Sequence, residues 1–349
     1  MKVWNYLRRE VLPLPSRWAV AIFFVGLLVF PLFNDDPFVL RIIIVSAIFA
    51  IFAASWDLLS GFTGQINFGH ALFFGAAAYS SALLNKLLGW SIYLTIPTGA
   101  LVATLVGLLV GIPCLRLRGS YLSLTTLAFP LMLTGVLFMF PSFTGGEMGL
   151  SGFDRFARSR LVNYYVIVPT MLVLVAAMWR IANSRIGLIF HAIREDEIAA
   201  RASGINTVYY KLLAFCLSGF FAGLSGGLYA HFLRATGPDT LSVFTSFQPV
   251  IWTIFGGVAT IYGPVAGVFI LFPALELLRA VPEYRMLLFG VLVLLTLRFM
   301  PRGLIPWLRA LVERPCPRCK RLNFVAQREC RVCGAPLRGT DTPAAKVKS

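Results

Sequence analysis

The chain has 349 residues, 58% of them hydrophobic and 13% charged, against roughly 45–50% apolar and 25% charged in soluble domains. That balance, with a mean hydropathy of +0.79, excludes one large water-soluble core, and long apolar runs such as Ile42–Leu59 and Leu101–Cys114 exclude the alternating segments that build a membrane β-barrel. The formal net charge of +16 suits either nucleic acid or basic cytoplasmic loops, and in so apolar a chain the loops are the simpler source.

The predicted fold is an all-α, polytopic transmembrane helical bundle. A crossing helix needs about 20 mostly apolar residues. Stretches bounded by Pro, Gly or charge place ten spans at 18–33, 38–59, 66–88, 92–114, 120–140, 161–181, 209–231, 244–262, 264–281 and 284–300. Lys2, Arg8, Arg9 and Arg17 precede the first run as in a secretory signal, but no small-x-small site closes it before Asn34. It is therefore read as a retained helix in a permease domain at 18–300. Gly256, Gly257, Gly263, Pro264 and Gly267 interrupt spans eight and nine, which read as two short helices or as a broken re-entrant hairpin. With segment 1–17 inside, 23 of the 31 Lys and Arg fall on the cytoplasmic side and 8 outside, so both termini are predicted cytoplasmic. Arg155, Arg158 and Arg160 run against that trend, in an outer loop expected to carry a short surface helix. Cys114 and Cys216 lie inside spans and read as packing residues.

The segment 182–208, between spans six and seven, is too charged to cross. Helix formers run from Phe190 to Ser203 with Gly204 as the expected C-cap, which predicts one short helix at the inner face. Ile193, Glu197, Ala200 and Gly204 recur at i, i+4, i+7 and i+11, placing small and apolar residues on one side and Arg194 and Asp196 off it. Such a face suits docking into a groove. A solvated loop helix is the plainer alternative.

Several stretches carry a resemblance: LLSGFTGQINFGHALFFGAAAY (58–79), RLRGSYLSLTTLAF (116–129), FTGGEMGLSGF (143–153), HAIREDEIAARASGIN (191–206), YKLLAFCLSGFFAGLSGGLYA (210–230) and IFGGVATIYGPVAGVFI (254–270). In this order they resemble the permease subunits of branched-chain amino-acid ABC transporters, of the LivM type, over roughly residues 40–300. The resemblance implies a multi-pass protein of a bacterial or archaeal plasma membrane that is not itself an enzyme. It implies as partners a second homologous permease, two ABC ATPase subunits and an extracytoplasmic solute-binding protein that supplies most of the selectivity. Spans two, three, seven and eight would line the path, and the cargo would be a branched-chain amino acid, with urea and short amides as alternatives. Residues 191–206 would form the coupling helix that inserts into an ATPase groove, with Ile193, Arg194, Glu195, Asp196, Glu197, Ala199, Ala200 and Gly204 as its contact residues. No G-x-x-x-x-G-K-[ST] occurs in the chain, so ATP would be bound by partner subunits rather than here.

Charged groups at bilayer depth are costly and mark either function or pairing. Asp57 closes span two beside Thr63, Gln65, Asn67 and His70 at the opening of span three. These residues offer donors and acceptors to a zwitterionic amino acid; helix capping and interhelical hydrogen bonding are the favoured alternative. Gly61, Gly64, Gly69 and Gly75, with Gly223, Gly226 and Gly227, permit close helix approach. Glu276 and Lys86, near span ends, read as interfacial snorkelers.

Beyond a linker at 301–315 come Cys316-x-x-Cys319 and Cys330-x-x-Cys333, in a module at 316–337 that precedes a disordered-looking tail at 338–349. Two such knuckles read as a Cys₄ zinc ribbon in the cytoplasm; labile disulfides and rubredoxin-like iron are the alternatives. Four thiolates and Zn²⁺ leave a net −2 that Arg318, Lys320, Arg321, Arg328 and Arg331 offset. So small a module folds on metal binding, and it departs from the related permeases, which usually stop soon after the last span. Two other classes of function remain in view. An ion-coupled secondary transporter would want buried carboxylates, which are scarce in these spans. A membrane-anchored regulatory or assembly protein acting through the ribbon would not need the 191–206 segment.

Overall fold

The computed structural model describes residues 15–114, 119–278 and 303–319, position 117, and scattered positions within 284–300 and 322–337. Segment 1–17, the tenth expected span and the tail at 338–349 lie wholly or largely outside the described residues, as do Arg116, Arg118, Lys320, Arg321, Arg328 and Arg331. The helices are α1 (Pro15–Val29), α2 (Pro37–Trp56), α3 (Ala71–Leu88), α4 (Ile92–Cys114), α5 (Ser120–Met139), α6 (Arg160–Ala182), α7 (Arg185–Glu195), α8 (Glu197–Ala202), α9 (Thr207–Leu233), α10 (Val243–Gly256), α11 (Tyr262–Leu277) and α12 (Leu304–Val312). Among the described residues, six helices are long and apolar enough to cross a membrane: α2 with its extension to Gly61, α3, α4, α5, α6 and α9.

One compact unit spans Pro31–Leu304. Its centre is α2, which starts with Pro37 at its first turn and Asp36 as N-cap, the Asp36 side chain accepting the Phe38 N–H. Around α2 pack α6, α9, α10 and α11, while α3, α4 and α9 form a second contact layer. Two serines of α9 donate to α2 carbonyls, Ser218 Oγ to Ser55 O and Ser225 Oγ to Ile48 O, each at 2.8 Å. Such bonds hold helices together where lipid offers no hydrophobic driving force between them. Phe49 sits among Phe74, Tyr229, Trp252 and Phe272 with ring centroids 5.1–6.1 Å away, stacked on Phe74 and tilted against the other three, arrangements that aromatic quadrupoles favour when offset.

Three features of the fold bear on the sequence expectation. The third span begins at Ala71 rather than 66, because Asn67 accepts the Gly69 N–H with its own side chain and competes with the helix. The loop between α5 and α6 carries a short helix, as expected. A single helical turn at Pro141–Thr144 is followed by β1 (Leu150–Ser151), which pairs antiparallel with β2 (Ala235–Thr236). Buried His231 fixes this loop, its Nδ1 2.8 Å from Asp154 O and its Nε2 3.0 Å from both Ser81 Oγ and Thr95 Oγ1. Finally, α10 and α11 are separate short helices joined through Gly257–Ile261. At 1.5 Å per residue they reach only about 21 and 24 Å, short of the roughly 30 Å hydrocarbon core.

The other compact unit comprises Met1–Phe30 and Ile305–Ser349. In it α12 presents Trp307, Leu308 and Leu311 to its surface, and β3 (Glu313–Pro315) pairs antiparallel with β4 (Leu322–Phe324), supporting the cysteine knuckles.

The close approach of α9 to α3 is set at Gly226, where an added Cβ would collide with the Phe74 carbonyl oxygen. Gly226→Ala is therefore expected to lower stability by about 1–3 kcal/mol, seen as a reduced thermal midpoint in detergent. Gly135→Ala, where no atom lies within 4 Å of the new Cβ, is expected to leave the midpoint unchanged or slightly raised.

Candidate functional site

The 182–208 segment is not the single helix its composition suggests. Asp196 breaks it, with φ −155° and ψ 106°, and its carboxylate accepts the N–H groups of Ile198 and Ala199 at 2.8 and 3.0 Å, capping α8. The expected stop at Gly204 holds: with φ +83° it donates to Arg201 O, and Ile205 donates to Ala200 O, a Schellman closure. The break rotates the faces. Ile193 and Ala200 are buried against the bundle, 3% and 5% exposed, so the small-residue face points inward rather than out. The outward surface carries Arg194, Glu195, Asp196, Ala199 and Gly204, together with Ile198, 73% exposed. Periodicity does not reveal Ile198, because it falls off the i, i+4, i+7 series; an Asp N-cap read at 196 would have found it.

Two interactions fasten this segment to the bundle. Glu197 bonds Lys211 at 2.6 Å in α9, and more loosely Arg201 at 3.1 Å. Arg194 Nη1 donates to Gly61 O at 2.6 Å, at the end of α2. There α2 widens into a π-helical turn at Asp57–Gly61. The Asp57 carboxylate, fully buried, accepts three consecutive backbone N–H groups from the α10–α11 connection: Ala259 at 2.6 Å, Thr260 at 3.0 Å and Ile261 at 2.9 Å.

The other residues of the polar cluster are also buried, and most are engaged. Thr63 Oγ1 donates to Leu59 O at 2.6 Å, and Asn67 O accepts the Trp56 Nε1–H at 2.6 Å. His70 Nε2 lies 2.9 Å from Ser55 Oγ. Gln65 Nε2 is buried without a hydrogen-bond partner among the described residues. The geometry is that of helix capping and interhelical ties.

In the ribbon, the sulfurs of Cys316, Cys319, Cys330 and Cys333 all lie within 4.8 Å of one another. Cys316 Sγ to Cys333 Sγ is 3.7 Å and Cys319 Sγ to Cys330 Sγ is 3.5 Å. A tetrahedron with metal–sulfur bonds of ~2.3 Å has edges of about 3.8 Å, so the four thiols fit one tetrahedral ion. The backbone N–H groups of Cys333 and Val332 hold the Cys330 thiol down at about 6, and that of Cys319 lowers Cys316. Both favour the thiolates that a metal requires. Asn323 Nδ2 donates to Cys330 Sγ at 3.6 Å.

Comparison with known proteins gives these features a family. Residues 38–297 match the family described as branched-chain amino acid transport system / permease component. The high-affinity branched-chain amino acid transport system permease protein LivM of Salmonella typhimurium is 29% identical over 76% of this chain and 69% of its own length. LivM of Escherichia coli is 29% identical over 82% and 72%. No solved structure matches the chain. With the family match covering most of its length and all six of the long helices found among the described residues, this chain belongs to the branched-chain amino acid transport permeases, as a multi-pass membrane protein and not an enzyme.

Proposed function

We propose that this chain pairs with a second permease of its family to form the translocation pathway of an ABC importer for branched-chain or related amino acids. Two ATPase subunits drive it and an extracytoplasmic binding protein feeds it. The observation that carries this reading is the bent α7–α8 segment, which presents an exposed apolar residue, Ile198, beside the exposed Arg194, Glu195 and Asp196. It is tied to α9 by Glu197–Lys211 and to the end of α2 by Arg194–Gly61 O. A push on such a segment reaches two central helices at once. We assign Ile193 and Ala200 to anchoring it, and Arg194, Glu195, Asp196, Glu197, Ala199 and Gly204, with Ile198, to contact with the ATPase. The charge distribution supports cytoplasmic termini, with the permease domain at 18–300, the coupling loop at 182–208, the linker at 301–315 and the ribbon at 316–337 on the inner side. The bonding of Asp57, Thr63, Asn67 and His70 supports a capping role for that cluster rather than a lining of the path.

Proteoliposomes holding this chain, its partner permease, the ATPases and loaded binding protein test the assignment. Intact complex is expected to take up labelled leucine only with ATP. Glu197→Arg and Ile198→Asp are each expected to cut uptake at least tenfold while the subunits still co-purify. Uptake that persists after full ATP depletion would instead establish a secondary transporter and sink the ABC reading.

The ribbon is assigned one structural zinc ion held by Cys316, Cys319, Cys330 and Cys333, with a docking or stabilising role on the inner side. Elemental analysis of purified protein is expected to give about one zinc per chain. Cys330→Ser with Cys333→Ser is expected to reduce this below a tenth, leaving the thermal midpoint of the membrane region in place. Stoichiometric zinc in that double variant, or iron in the intact protein, would refute the assignment.

A further inference from the structure

A cavity of about 240 Å³ opens where four helix ends converge: the start of α2, the end of α9, the start of α10 and the end of α11. Under the topology proposed above, all four ends face the outer side of the membrane. Its wall combines one cation, Arg41, one anion, Glu276, two neutral polar groups, Tyr229 and Gln248, and an aromatic surface that includes Phe244 and Phe272. The volume falls below the roughly 300–1,000 Å³ of drug-sized pockets and suits a smaller solute.

We infer that this cavity is the chain's binding site for its cargo, taking a free amino acid by both charged ends; the inference rests on the transport reading above. The Arg41 guanidinium offers paired donors to a carboxylate, the Glu276 carboxylate accepts an ammonium, and the phenylalanine faces take a branched apolar side chain. Position supports a role beyond fold stability. Glu276 stands in the last turn of α11, the negative end of the helix dipole, where a carboxylate is disfavoured. Arg41 adds a cation to the outer side, against the general bias of the chain. It is exposed while Phe49 at the cavity wall is buried, so the site is open at its charged rim and closed at its apolar floor. Urea or a short amide lacks the two full charges that this pair answers.

A phosphatidylethanolamine head group shares the same chemistry, one anion and one ammonium, so the test separates the two. In proteoliposomes with saturating leucine-loaded binding protein, Arg41→Gln and Glu276→Gln are each expected to lower leucine uptake about tenfold or more while the subunits still co-purify. Arg41→Lys, which keeps the cation, is expected to retain most of it. Saturation-transfer NMR of the intact complex in phosphatidylethanolamine-free nanodiscs is expected to show leucine contact that both Gln variants lose. Variant uptake within twofold of the intact complex would overturn the site. So would a site that shows no leucine contact and instead retains phosphatidylethanolamine through purification. An intact complex that hydrolyses ATP but moves no leucine would overturn the transport reading itself, and the site with it.

Discussion

A backbone amide that leaves a helix inside a membrane protein must find a partner, because lipid supplies none. In this fold that demand concentrates at the α10–α11 connection, where the short stretch from Gly257 to Ile261 separates the two helices. Ala259 and Ile261 take φ of 60° and 59° there, a left-handed conformation that costs about 1–3 kcal/mol per non-glycine residue. One side chain answers for the whole turn. Asp57 accepts the N–H groups of residues 259, 260 and 261, satisfying three amides with its two carboxylate oxygens. The π-helical turn that begins at Asp57 fits the same requirement. It lets α2 continue past the acidic residue to Gly61, whose carbonyl then receives Arg194. The end of α2, the facing ends of α10 and α11 and the 182–208 segment are thus joined through two adjacent sites on one helix.

That arrangement bears on how motion travels. The α7–α8 segment is held at two points, one on α9 and one on α2, and α9 is in turn stitched to α2 by Ser218 and Ser225. A displacement of the segment cannot move one helix without loading the other. The coupling is mechanical in a limited sense: packed helices and hydrogen bonds form discrete contacts that either persist or re-form elsewhere.

Much of this is legible in the sequence, and what is not shares a cause. The six long spans follow from apolar length alone, as do the C-cap at Gly204 and the cysteine cluster from its spacing. The break at Asp196 is written locally as well, as an N-cap aspartate before Glu197, Ile198 and Ala199, but strong helix formers on both sides conceal it. The small-residue face then points the wrong way, since a face drawn across a break mixes two helices. The partner of Asp57 lies some 200 residues downstream and leaves no periodic trace. The same holds for Arg41 and for Glu276, the latter read singly as an interfacial snorkeler, which four helix ends bring to one cavity.

The contrast between the two polar regions carries the functional argument further than either does alone. At the Asp57 end the Asp57 carboxylate, the His70 imidazole and the Asn67 amide are buried and bonded to backbone or to a neighbouring hydroxyl, Gln65 Nε2 being the exception. A passing solute could gain their bonds only by breaking existing ones, and the net gain of such an exchange is small. At the Arg41 end the charged and polar side chains border open volume, so a solute can reach them from the cavity. A transport chain needs both kinds of region, one stiff enough to transmit force and one that yields its solvent to cargo. In this permease the two stand at opposite ends of α2, which, on the proposed reading, makes that helix the shared element of coupling and recognition.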